Sequence, residues 1–168
     1  MALVKDGEHA TDIFACLNDE DTLPNDSQAI IVSLDRWLAD RDILVKRSAP
    51  MGVILNPDQS PDTISEDLQY LSTIVVKFPV FSDGRGFSHA RRLRETYGFD
   101  GEIRASGHLI RDQYLFLHRC GVNAIEVKDQ ASAEQWKIAM DEFSLFYQNT
   151  IDSRNPLMRL RQQSGTQT

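Results

Sequence analysis

A chain of 168 residues with 41% hydrophobic and 26% charged residues suits one domain with a sizeable buried core. Its net charge of −7 argues against broad nucleic-acid binding but leaves room for a local anion site. Two distant cysteines, Cys16 and Cys120, offer no CxxC pair and too few thiolates for an iron–sulfur cluster of the chain's own.

The opening "MALVKDGEHATDIFACLNDED" holds no apolar stretch of signal-peptide length. No segment approaches the roughly 18 apolar residues of a membrane span. A cytoplasmic protein without membrane contact is expected.

Residues 1–28 are polar and rich in turn formers, so they read as a loose arm or a small preceding element. "AIIVSL" (29–34) is a predicted strand, and "LDRWLADRDILV" supplies the helical pattern after it. "MGVILN" (51–56) is the second strand and "DTISEDLQYL" (62–71) its helix, with Thr63 and Glu66 spaced as a capping box. "TIVVKFPVF" (73–81) is the third strand, ended by the turn formers "SDGRG". The helix "FSHARRLRETY" (87–97) follows, with Gly98 positioned to terminate it.

"GEIRASG" (101–107) and "LIRDQYLFLHRC" (109–120) form the fourth strand–helix unit, closed by Gly121. "NAIEV" (123–127) is the fifth strand, and "SAEQWKIAMDEFSLFYQ" begins the last helix with Ser132 and Gln135 as a capping box. Five successive strand–helix units imply an α/β fold with a mainly parallel sheet, read here as open and doubly wound. The alternative is a sheet curled into a partial (β/α) barrel. The expected division is an arm over 1–28, one α/β domain over 29–150, and a partly disordered tail over 151–168.

Positive charge gathers where the overall balance does not predict it. Residues 77–121 hold seven arginines and three of the four histidines. Ligands of parallel sheets bind beyond the carboxyl ends of the strands, which places "SDGRGFS" at the favoured edge. There Gly84 and Gly86 let backbone approach a ligand, Arg85 projects between them, and Ser88 opens the helix as a hydroxyl donor. A sulfite, sulfate or phosphate group suits such a turn; an ordinary strand–helix turn is the plain alternative.

His89 stands where a dinucleotide fingerprint needs its third glycine, and no P-loop occurs, so no cofactor is named by a motif. Asp83 can hold Arg85, accept a proton or cap the turn. Arg91 and Arg94 lie three apart on one helix and can grip one partner. Arg104 shares a strand face with Glu102; an ion pair or an anionic ligand would each satisfy it there. His108 follows the fourth strand, and Asp112 and Gln113 open the next helix at the same edge. Asp112 is the second candidate base. The histidine spacing matches no metal motif.

The stretch "FPVFSDGRGFSHARRLRETYGFDGEIRASGHLIRDQ" resembles a bacterial family of unknown function that carries the label of an oxidoreductase of sulfite reduction. The family pattern, FPxFxDGRGxSxAxxLRxxxGxxGExRAxGxxxxDQ followed by RCG, is met at Phe78, Pro79, Phe81, Asp83, Gly84, Arg85, Gly86 and Ser88. It is met again at Arg94, Gly101, Glu102, Arg104, Ala105, Gly107, Asp112, Gln113, Cys120 and Gly121. The match covers roughly 78–127, and the arm "HATDIFACLNDED" departs from the family.

The resemblance implies a role in sulfur assimilation beside sulfite reductase or another enzyme of that pathway. The expected function is an accessory protein that binds an oxyanion, a phosphate-bearing ligand or that partner. The alternative is an oxidoreductase using an externally bound flavin or nicotinamide.

Overall fold

The computed structural model describes residues 2–127. The expected helix from Ser132 and the tail over 151–168 lie outside the described residues. Eleven regular elements follow one another: β1 (Ala2–Lys5), β2 (Glu8–Ala10), β3 (Ala15–Cys16), β4 (Ile30–Ser33), α1 (Leu34–Leu44), β5 (Met51–Leu55), β6 (Thr73–Phe78), α2 (Arg85–Glu95), β7 (Glu102–Gly107), α3 (Tyr114–Arg119) and β8 (Ala124–Val127). All eight strands join one sheet in the order β2-β1-β8-β7-β6-β5-β4-β3. Pairings from β3 through β8 are parallel, and β1 pairs antiparallel with both β2 and β8.

Double winding needs a reversal in strand order, and β3 to β8 run without one. One apolar cluster accordingly takes alternate residues of the strands together with the helices. It joins Ile30, Val53, Ile74, Val76, Phe78, Ile103 and Ile125 to Trp37, Leu44, Leu93 and Leu117. The opposite face carries Thr73, Glu102, Arg104 and Ser106, all buried. The sheet is thus a curled, open half-barrel, as in the alternative reading.

Chain connectivity requires the curl. β2 and β3 occupy opposite edges, yet only residues 11–14 separate them. That link reaches at most about 17 Å fully extended. A flat eight-stranded sheet would hold its edges about 33 Å apart. The strap over residues 11–14 therefore crosses the concave side like a chord. Residues 1–28, expected as an arm, contribute three strands and this strap. A two-residue Asp6–Gly7 turn, with φ of 51° and 83°, closes the β1–β2 hairpin.

Local chemistry sets the element ends. Ser33 caps α1 by accepting the Arg36 amide at 3.0 Å. Gly98 follows α2 with φ of 62°, a left-handed conformation in which a side chain is strained. The predicted helix over 62–71 is replaced by two short 3₁₀ turns, Pro61–Ile64 and Leu68–Tyr70. Pro61 fixes the first turn and Ser60, rather than Thr63, caps it.

Asp67 then turns inward. It accepts the Trp37 indole at 2.9 Å and the Arg41 Nε at 2.9 Å, tying this segment to α1. The Arg41 hydrogen bonds hold the Asp67 carboxyl below the usual carboxylate range against the opposing effect of burial, and Trp37 adds to them. A depressed folded value means this contribution is complete above about pH 4 and fades as pH falls through the lower folded value. Asp67→Asn is expected to cost about 1–3 kcal/mol near neutral pH. Its stability should also fall less steeply than wild type between about pH 5 and 2, as read from urea midpoints.

Candidate functional site

Two regions carry chemistry, at different places on the half-barrel. The first is the strand-end edge, where the loops after β6 and β7 meet. Gln113 fastens them: its Oε1 accepts the Ile110 amide at 3.2 Å while its Nε2 donates to the Phe81 carbonyl at 2.9 Å. Between the loops lies a cleft of about 460 Å³ lined by Val80, Phe81, Gly107, His108, Leu109 and Ile110. Phe81 is 61% exposed and Val80 52%, so this edge presents apolar surface to solvent.

The Gly/Arg turn stands beside that cleft already holding an anion, its own Asp83. The Asp83 carboxylate accepts the Arg85 amide at 3.2 Å, Nε at 3.0 Å and the terminal guanidinium nitrogen at 2.7 Å. The Arg85 side chain and amide keep the Asp83 carboxyl below its ordinary range. Gly86 is buried under the Phe78 ring, and a Cβ there would stand 2.4 Å from the ring's Cζ. Packing, rather than ligand approach, accounts for the missing side chain. Gly84 faces open space, and Ser88 is exposed on the first turn of α2.

The remaining predicted residues separate. Arg91 pairs with Glu95 at 2.7 Å on the outer surface of α2. Arg94 turns the other way: it donates to the Gly121 carbonyl at 2.9 Å and to the Phe99 carbonyl, joining α2 to the loop before β8. His108 is exposed at the cleft, its amide bound to the Phe78 carbonyl at 2.7 Å. Asp112 is exposed in the 3₁₀ turn Arg111–Gln113. Arg104 belongs to the second region.

That region is the concave face. Arg104 is 1% exposed and meets three carboxylates. Its Nε donates to Glu102 at 2.9 Å, its two terminal nitrogens reach Asp12 at 2.7 and 3.1 Å, and Glu126 stands at 3.6 Å. Burial works against the guanidinium charge, but the Asp12 hydrogen bond and the neighbouring carboxylates outweigh it and raise the pKa. Lys5 binds Glu102 at 3.1 Å. Lys77 donates to the Ser106 hydroxyl at 2.9 Å, and that hydroxyl donates in turn to Glu126. The Phe14 ring lies 5.7 Å from the guanidinium carbon.

Strand alternation signals part of this network, since Thr73 and Lys77, Glu102, Arg104 and Ser106 sit at even spacing on β6 and β7. Asp12 carried no local signal. Among the described residues, no group of three or more His, Cys, Asp and Glu is arranged to hold a metal ion. No described helix is long and apolar enough to cross a membrane.

The geometry defines a class: an open (β/α) half-barrel with an ion-paired concave face and an apolar cleft at the strand ends. Within that class, the chain belongs to a bacterial protein family of unknown function (DUF934), whose family model matches residues 52–158. No curated protein matches the chain.

Proposed function

We propose that the protein is an accessory protein of assimilatory sulfate and sulfite reduction, and that it docks sulfite reductase or another enzyme of that pathway through the strand-end edge. The observation that supports docking is the cleft between Phe81 and Ile110, an exposed apolar surface that His108 also lines. An exposed aromatic ring flanked by exposed aliphatic side chains, here Phe81 with Val80 and Ile110, has the composition of a protein-binding patch. A small oxyanion at the Gly/Arg turn, the other form of this reading, has to displace Asp83 from Arg85. The pathway itself rests on the family resemblance.

A strain lacking the gene is expected to fail on sulfate as sole sulfur source and to grow on sulfide. Phe81→Asp should abolish complementation and co-purification with sulfite reductase while leaving the thermal midpoint within a few degrees of wild type. Normal growth of the deletion strain on sulfate removes the pathway, and full complementation by Phe81→Asp removes the surface. The oxidoreductase reading draws on the same cleft, whose volume lies within the range of small-molecule sites. Saturable quenching of flavin or nicotinamide fluorescence by the purified protein would favour it.

A further inference from the structure

We propose that the cavity beneath the 11–14 strap is a site for a small oxyanion or carboxylate, which binds the Arg104 guanidinium in the position that Asp12 holds. The cavity measures about 270 Å³ and is lined by Lys5, Asp12, Phe14, Glu102 and Arg104 among others. It opens beside Pro50, Ser72 and Glu102, at the starts of β5, β6 and β7, whereas the Gly/Arg turn follows the far end of β6. A sulfate-sized ion fits inside it with space to spare.

Arg104 and Asp12 differ in what they lose on parting. The guanidinium is 1% exposed and needs an anion in place, whereas the Asp12 side chain is 39% exposed and rides on a four-residue strap. Released to water, the Asp12 carboxylate recovers its hydration; Arg104 stays buried with Glu102 and Glu126, but the two hydrogen bonds that Asp12 accepted are left for a replacement. The two terminal nitrogens that grip both Asp12 oxygens form a fork suited to any planar or tetrahedral oxyanion.

Charge on this face points the same way. Among the described residues, Arg104, Lys5 and Lys77 face the carboxylates of Glu102, Glu126 and Asp12. Withdrawing Asp12 makes this face, which also carries Glu8 across from Lys5 on β2, one unit more positive, and that change favours an incoming anion. Glu102 already stands 2.9 Å from Nε and from one terminal nitrogen and is held in place by Lys5 and Thr73, so it is not free to move into the position of Asp12.

The test is a titration of the full chain with sodium sulfite, sulfate, phosphate and acetate, at ionic strength fixed with chloride, read by calorimetry and thermal shift. Wild type is expected to show saturable binding of at least one of these anions. Asp12→Asn should bind that anion about tenfold or more tightly, because a charge-assisted competitor is gone. Lys5→Gln, altered at a partly exposed side chain of the cavity wall, should weaken it. Asp83→Asn should leave it unchanged, which separates this site from the Gly/Arg turn. Absence of saturable binding in both wild type and Asp12→Asn overturns the proposal. So does tightening by Asp83→Asn with no response to Asp12→Asn or Lys5→Gln.

Discussion

Arg104→Met is expected to lose about 3–5 kcal/mol of stability, since it strands the buried Glu102, the partly buried Glu126 and the more exposed Asp12 without their shared partner. Methionine keeps an unbranched chain of similar reach, so the loss of volume is small and the loss of charge dominates. Glu102 is 8% exposed and would keep only Lys5 and Thr73; Asp12 would keep the Phe14 amide. The sharper expectation is the second step. Adding Glu102→Gln and Asp12→Asn to Arg104→Met should recover more than half of the loss, because the stranded charges are then gone. Urea unfolding of the single and triple variants measures both. A single variant within about 1 kcal/mol of wild type would show that the concave face is not held by this network.

Gly107→Ala is the other large effect, expected at about 3–5 kcal/mol. Gly107 has φ of +118°, a conformation that side chains rarely adopt and that costs on the order of 1–3 kcal/mol when imposed. Space compounds the strain. A Cβ there would stand 2.2 Å from the Phe78 carbonyl oxygen, and that contact is with backbone. Relief requires β6 and β7 to separate at their last rung, where Phe78 pairs with Gly107 and the His108 amide binds the same oxygen. The natural control is Gly84→Ala. Gly84 has φ of −80° and open space around it, so that variant should stay within about 0.5 kcal/mol. Equal denaturation midpoints for the two variants would sink the claim that the strand-end loops are fixed by this close approach.

Much of the family-like segment turns out to build the fold. Gly86 makes room for the Phe78 ring, Arg94 ties α2 to Gly121, Gln113 clamps two loops, and Asp83 occupies the arginine beside it. Each residue type was legible in the sequence as special. Its reason was not, because a glycine that avoids an aromatic ring and a glycine that admits a phosphate look alike until the neighbour is known.

The arm illustrates the opposite failure. Asp6–Gly7 between "ALVK" and "EHA" is a strong hairpin signal, yet strands of two to four residues are too short to show periodicity against polar neighbours. What made them strands was the open edge of β8 and, on the far side, the edge of β4.

The alternation of apolar runs with helical patterns was enough to place the central strands and most helices along the chain. Period-two and period-3.6 burial are local properties of the chain. The stops at Gly98 and Gly121 also followed locally, whereas Ser33, read as part of a strand, proved to cap α1. Tertiary structure alone decided the direction of winding, the curl and the partners of the arginines. A four-residue link between opposite sheet edges is a constraint on space, visible only once both edges are placed. Asp12 meets Arg104 across 92 positions of sequence, and no pattern within either segment encodes that meeting.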